Sequence, residues 1–192
     1  MSDPQSHWDK KYTESPEVSA YSQFLTNIEN YLPSSGSCVD LAGGNGRNAL
    51  WFAEKGYETS LIDISPVALN QAKEAATDRG VKLECLQRDL EKTPLPEGRK
   101  WDIALVTLFL DRSLLMRIPN SLTKSGILLF AHPTKTNLER HEHPSEKFLL
   151  EPGEIFNLGE RLIDMEILHM DELWRESGRH EAWIVCRKRR KC

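Results

Sequence analysis

A chain of 192 residues, 39% of them hydrophobic, is long enough to bury one substantial core and too short for two ordinary enzyme domains. Its formal net charge of −4 argues against a broad polyphosphate-binding surface, and so against nucleic acid as a partner. No apolar run reaches the roughly 18 residues that span a bilayer, and Met1-Ser2-Asp3-Pro4-Gln5-Ser6 is no secretory leader, so the expectation is a cytoplasmic protein without a membrane partner.

Residues 1–33 read as an N-terminal helical cap. After a polar start, Tyr21, Phe24, Leu25, Ile28 and Tyr31 recur at helical spacing, and Pro33 with Ser34-Ser35-Gly36 ends that helix. The first strand runs through Val39-Asp40-Leu41 into Ala42-Gly43-Gly44-Asn45-Gly46, and a helix over about Arg47 to Lys55 stops at Gly56. A second strand, Thr59 to Ile62, ends at Asp63. Ser65 then offers an N-cap with Pro66 at the first helical position, and the helix follows Ala68, Leu69, Ala72 and Ala76 to Gly80.

Val81 to Leu86, Ile103 to Thr107 and Ile127 to Ala131 give three further strands, with a short helix from about Ser113 to Leu122 before the last. The later two are short continuous apolar runs, as expected of parallel strands covered on both faces. His132 to Lys147 is a polar stretch too long for an ordinary connection, which predicts a lid or substrate loop over 132–150, and a helix follows from near Pro152. Met165 to Leu173 and Ala182 to Arg187 are strands whose link, Arg175 to Arg179, is too short for a crossover helix, so they pair as an antiparallel hairpin. Residues 187–192 read as a solvated basic tail. Cys38, Cys85 and Cys186 read as reduced core thiols and Cys192 as an exposed one, none at metal-ligand spacing.

The glycine turn carries the chemistry. Gly44 and Gly46 remove Cβ atoms that would hold a ligand away, and the helix opening at Arg47 aims unpaired N–H groups into the gap. Gly44, Gly46 and Ala49 also satisfy the relaxed dinucleotide pattern GxGxxA, with Asp63 at the spacing of a ribose-binding acid. On these residues alone, a dinucleotide, S-adenosylmethionine (SAM) and no ligand at all stay open.

The whole order, glycine turn first and hairpin last, resembles the class I SAM-dependent methyltransferases. It is similar to their small members related to tellurite-resistance and thiopurine methyltransferases through Trp8-Asp9-Lys10-Lys11-Tyr12, the Asp40 to Asn48 loop, and Phe148-Leu149-Leu150-Glu151-Pro152-Gly153-Glu154. The resemblance covers nearly the entire chain and implies an α/β, Rossmann-like methyltransferase fold: one domain over residues 1–192, a mostly parallel seven-stranded sheet, a C-terminal antiparallel hairpin, and helices on both faces. It implies SAM as cofactor and S-adenosylhomocysteine as product, with a small-molecule methyl acceptor. A monomer or weak dimer is expected. One departure stands out: the first small position of the family's loop is commonly Gly, and here it is Ala42.

On this resemblance the cofactor site gathers Trp8, Tyr12, Asp40, Ala42, Gly43, Gly44, Asn45, Gly46, Arg47, Asp63, Ile64, Ser65, Asp89, Leu90, Thr107, Leu108 and Phe109. Asp40 separates the cofactor classes, because SAM carries an ammonium and a sulfonium whereas a diphosphate would be repelled. Asp63 suits two ribose hydroxyls, since a carboxylate accepts bidentate hydrogen bonds. Asp89, with Leu90 beside it, sits where the family places an acid against the adenine amino group. Thr107, Leu108 and Phe109 reach the crevice at the carboxyl ends of the strands. Trp8 and Tyr12 either close over the site or staple onto the core.

Methyl transfer is an in-line displacement in which a protein aligns and desolvates the partners. A thiolate acceptor needs no general base, whereas a hydroxyl or amine benefits from one. His132 and His180 are carried forward as catalytic candidates, with Asp111 and Glu151 behind them. His141, Glu142 and His143 lack a third ligand, so no metal is expected. Two rivals remain: an NAD(P)-dependent oxidoreductase, disfavoured by Asp40 and the closing hairpin, and a non-catalytic methyltransferase-fold subunit, disfavoured by the intact Asp40, Gly44, Gly46 and Asp63 set.

Overall fold

The computed structural model describes residues 3–190. The expectations for Met1, Ser2 and Cys192, and the last two residues of the basic tail, lie outside them. Seven strands form one sheet in the order β3-β2-β1-β4-β5-β7-β6. They are β1 (Ser37–Leu41), β2 (Glu58–Asp63), β3 (Leu83–Gln87), β4 (Trp101–Thr107), β5 (Leu122–Pro133), β6 (Met165–Trp174) and β7 (His180–Lys188). The first five pair in parallel, and β7 runs antiparallel to both β5 and β6. The hairpin is therefore present as expected, with β7 inserted between β5 and its own partner strand.

Six helices flank the sheet: α1 (Pro4–Glu14), α2 (Gln23–Ile28), α3 (Arg47–Glu54), α4 (Pro66–Asp78), α5 (Arg112–Arg117) and α6 (Glu154–Arg161). Two apolar layers follow from the strand alternation. On one face Val39, Leu41, Val106, Phe130 and Ile184 pack against Leu114 of α5 and Ile155 and Leu158 of α6. On the other, Leu105, Leu129 and Trp183 meet Phe24 of α2 and Trp51 and Phe52 of α3. Among the described residues, no helix is long and apolar enough to cross a membrane.

The predicted helix over Tyr21 to Tyr31 is shorter, running from Gln23 to Ile28 before a 3₁₀ turn over Glu29–Tyr31. Ser22 is its N-cap and accepts a hydrogen bond from the Phe24 N–H. The polar start is a helix in its own right: Asp3 caps α1 by accepting from the Ser6 N–H, and Pro4 opens it. No α1 residue is buried, so the apolar period that marks a packed helix is missing from its sequence. β5 begins at Leu122, five residues before the apolar run, because Thr123, Lys124 and Ser125 extend the strand without burying apolar side chains. Ser65 caps α4 as expected, accepting from the Ala68 N–H at 3.1 Å.

β1 lies between β2 and β4, where the chain changes from winding one way to winding the other. The crevice outside the strand ends opens at this switch, and open α/β sheets place ligands there.

Candidate cofactor site

After Leu41 the backbone turns through three left-handed residues: Ala42 (φ 54°), Gly44 (φ 59°) and Gly46 (φ 80°). Glycine tolerates this conformation, whereas alanine does so at a cost of about 1–2 kcal/mol. The departure at Ala42 therefore sits on a strained position, held by a 2.8 Å hydrogen bond from its N–H to the Ile62 carbonyl. Gly43 has no such φ but no room either: a Cβ there would lie 2.5 Å from Cγ of Asp40 and 2.5 Å from Cδ1 of Leu61. Gly46 lets α3 start close to α4, since its Cβ would stand 3.0 Å from that of Ala72.

Beneath this turn, Asp40 is fully buried; the Ala49 N–H is the backbone donor that bears on its carboxylate, and neither oxygen has a well-formed hydrogen bond. Burial pushes its pKa up to about 7; the Arg47 guanidinium opposes the shift and Asp63 adds to it. An orphaned buried carboxylate is costly unless a cation or donor reaches it. Arg47, half-buried at the start of α3, is within electrostatic reach of Asp40 and Glu181 yet forms no ion pair with either.

Asp63 ends β2 and is buried. Its two oxygens accept from the Gly44 N–H at 2.8 Å and the Ser65 N–H at 2.9 Å. Burial raises its pKa, and these amides pull the other way. The Ile64 N–H also bears on this carboxylate, whose two oxygens offer about four acceptor sites in all, so it has capacity left for hydroxyl donors.

Asp89 pairs with Lys92 at 2.9 Å, and that bond holds its carboxyl below the usual range. It lies on an open pocket of about 480 Å³ whose walls include Ile64, Leu86, Asp89 and Lys92, together with Asp3 and Gln5. Its lining combines apolar (Ile64, Leu86), acidic (Asp3, Asp89) and basic (Arg88, Lys92) side chains. Leu90 is placed differently from expectation: its side chain is buried in the α5/α6 face of the core, which anchors the Asp89 turn.

Trp8 and Tyr12 stack with ring centroids 6.1 Å apart. The Tyr12 hydroxyl rests on Gly44 so closely that any Cβ there would collide with it. Burial, reinforced by the Asp63 charge, raises the Tyr12 pKa. At the β4 end, Thr107 accepts from Asn48 Nδ2 at 2.9 Å, while Asn48 Oδ1 accepts from the Ser22 N–H at 2.8 Å. Sequence reasoning missed this buried bridge, although Asn48 stood in the quoted motif. Asn45 holds the same segment through the Glu17 carbonyl at 3.2 Å. Leu108 is 43% exposed with φ 59°, and Phe109 leans on the core.

The two histidines are engaged elsewhere. His132 is buried and stacks on Phe130, and its Nε2 donates to the Phe148 carbonyl at 2.7 Å. Nδ1 is buried without a partner, and burial lowers the pKa to about 4. His180 shares a 2.7 Å hydrogen bond between Nδ1 and Thr134 Oγ1, with its ring against Trp174. Neither histidine bonds to the glycine turn; both hold the base of the 132–150 segment. The donor of His132 is committed to a carbonyl, and its other ring nitrogen is buried without a hydrogen-bond partner. The segment itself is docked rather than loose: Arg140 lies 3.8 Å over Trp174, and His141 Nε2 donates to the Gly178 carbonyl at 2.7 Å.

A sheet of this order, reversed only in β7 and turning through glycines after β1, is the class I SAM-dependent methyltransferase fold. A family described as a methyltransferase domain matches residues 38–122, and SAM is the cofactor that this match and the fold imply. "Putative methyltransferase YqeM" of Bacillus subtilis (strain 168) is 35% identical over 81 residues, 42% of this chain and 32% of that protein. The chain thus spans about a third of the length of this curated relative. In fold it resembles TehB from Haemophilus influenzae, with a TM-score of 0.71 at 16% identity over 95% of this chain and 67% of that one. A TehB-like SAM-dependent methyltransferase from Corynebacterium glutamicum gives 0.70 at 15% identity, covering 96% and 99%.

Proposed function

We propose that this chain transfers a methyl group from SAM to a small-molecule acceptor. The observation that carries the reading is the fully buried Asp40 carboxylate, with no side-chain hydrogen-bond donor on it, under a turn whose Gly43 and Gly44 leave no room for a Cβ. A cationic ligand end satisfies that carboxylate, whereas a dinucleotide's diphosphate would meet repulsion. The residues therefore fit SAM better than NAD(P), which disfavours the oxidoreductase alternative.

In this proposal Asp40 faces the amino-acid end of the cofactor, and the Ala42 to Arg47 turn lies along it. Asp63 receives the ribose hydroxyls, with Ile64 and Ser65 alongside. Ile64, Leu86 and Asp89 flank the adenine. Thr107, Leu108 and Phe109 border the acceptor. When bound, SAM supplies a methyl group on a positively charged sulfur. The chain's part is to align that group with the acceptor and to keep water away, the terms that dominate a displacement of this kind. Neither His132 nor His180 is given a proton to take in it, and that favours an acceptor that arrives ionised, such as a thiolate.

The net charge of −4 supports a small acceptor over nucleic acid, and we place the protein in the cytoplasm as a monomer or weak dimer. The test is isothermal titration with SAM, S-adenosylhomocysteine, NAD⁺ and NADP⁺. Binding of the first two alone is expected; tight NAD(P) binding without SAM would overturn the reading, and no binding at all would favour a non-catalytic subunit. A labelled-methyl screen over thiols, phenols and oxyanions then identifies the acceptor.

A further inference from the structure

α1 has no buried residue, so apolar burial does not hold it on the body. What holds it is a row of contacts from Gln5, Asp9 and Tyr12, which share one face with Trp8 at i, i+4, i+7 and i+3 spacing. Asp9 Oδ1 accepts from Ser65 Oγ at 2.6 Å. Gln71 Nε2 donates to the Tyr12 carbonyl at 2.8 Å, and Gln87 Nε2 to Gln5 Oε1 at 3.3 Å. The Tyr12 hydroxyl closes on Gly44. Gly44, Ser65 and Gln87 among these anchors stand at the turn and the strand ends that border the cofactor crevice, Gln71 stands within α4, and Asp3 and Gln5 supply one wall of the 480 Å³ pocket.

Among these anchors the Asp9–Ser65 bond is singular in its connections. The Ser65 hydroxyl donates to Asp9 while accepting from the Ala68 N–H, and the Ser65 N–H donates to Asp63. One residue thus joins the docked helix, the cap of α4 and the carboxylate assigned to the ribose. A helix held by a few polar contacts opens at low free-energy cost, so losing the shortest of them shifts its docking equilibrium.

We propose that Asp9 is a positioning residue: through Ser65 it latches α1 over the cofactor turn, so that Trp8 and Tyr12 cover bound SAM and Asp3 and Gln5 wall its adenine end. This rests on the SAM reading above. Asp9 touches no reacting atom; its effect passes through where α1 sits.

The experiment compares wild type with Asp9→Ala and Asp9→Asn in the full chain, by amide hydrogen exchange of residues 4–14 and by S-adenosylhomocysteine titration. In wild type the ligand is expected to slow exchange across α1. Asp9→Ala should speed that exchange without ligand, leave β1 and β4 amides unchanged, and raise the dissociation constant about five- to tenfold, the worth of roughly one hydrogen bond. Asp9→Asn keeps an oxygen that accepts from Ser65 and should restore most of both. Unchanged α1 exchange in Asp9→Ala, or an unchanged dissociation constant, overturns the proposal. If wild type binds no S-adenosylhomocysteine, the cofactor reading and the proposal fall together; if wild type binds it and Asp9→Ala matches wild type, only the latch falls.

Discussion

The Gly44 N–H donates to the Asp63 carboxylate at 2.8 Å, so the turn after β1 and the end of β2 are held as one piece although nineteen positions separate them. The same carboxylate takes the Ser65 amide, and so pins both walls of the crevice before any ligand arrives. A site with its acceptors already fixed loses little ordering entropy when a ligand binds.

Removing that acid tests the ribose assignment. Asp63→Ala is expected to weaken SAM binding by about 1.5–3 kcal/mol, the scale of hydrogen bonds to a charged group. Titration calorimetry measures it, and unchanged affinity refutes the role of Asp63.

Asp40 links cofactor binding to pH. Its folded pKa of about 7 lies above its ordinary value of 3.8, so the folded chain holds the proton more tightly than the unfolded one. That contribution to stability is full below about pH 4 and is lost as pH rises through 7. Asp40→Asn should therefore gain stability relative to wild type between melts at pH 5 and pH 8. SAM affinity runs the other way: wild type should bind more tightly at pH 8 than at pH 5.5, and Asp40→Asn should bind weakly with little pH dependence.

His132 has the opposite sign. Its folded pKa of about 4 lies below the ordinary 6.5, so the neutral ring's contribution is present above pH 6.5 and disappears as pH falls through 4. Melts of His132→Gln across that range should show a flatter acid limb than wild type. At pH 8 the same variant should keep its turnover within tenfold, because the ring holds Phe148 rather than moving a proton; a loss of several orders of magnitude without unfolding would return it to catalysis.

Gly43→Ala probes the space under the turn. A methyl 2.5 Å from both Asp40 and Leu61 forces one of them aside, and overpacking of this kind costs about 1–3 kcal/mol. Urea unfolding should show that loss, with SAM binding reduced along with it.

Much of this was legible from the chain itself, for local reasons. Ser65 with Pro66 caps α4 because a hydroxyl and a fixed φ act on the next few residues. The glycines after β1 mark left-handed backbone wherever the strand goes. The short Arg175 to Arg179 link forces a hairpin by length alone. Local pattern was silent on α1, whose contacts are polar and aromatic rather than apolar at a regular period. It was silent too on the partner of His132, the Phe148 carbonyl sixteen residues later.

By itself, then, the sequence determined the alternation of elements, the glycine turn, its acids and the closing hairpin, since each follows from residues close together in the chain. Tertiary structure alone decided that β7 enters between β5 and β6, that Asp40 lies fully buried while Asp63 is held by the Gly44 and Ser65 amides, and that α1 docks on Ser65 and Gln71. Those outcomes depend on which distant groups meet and on how much water is excluded when they do, and neither is written in the neighbours of any one residue.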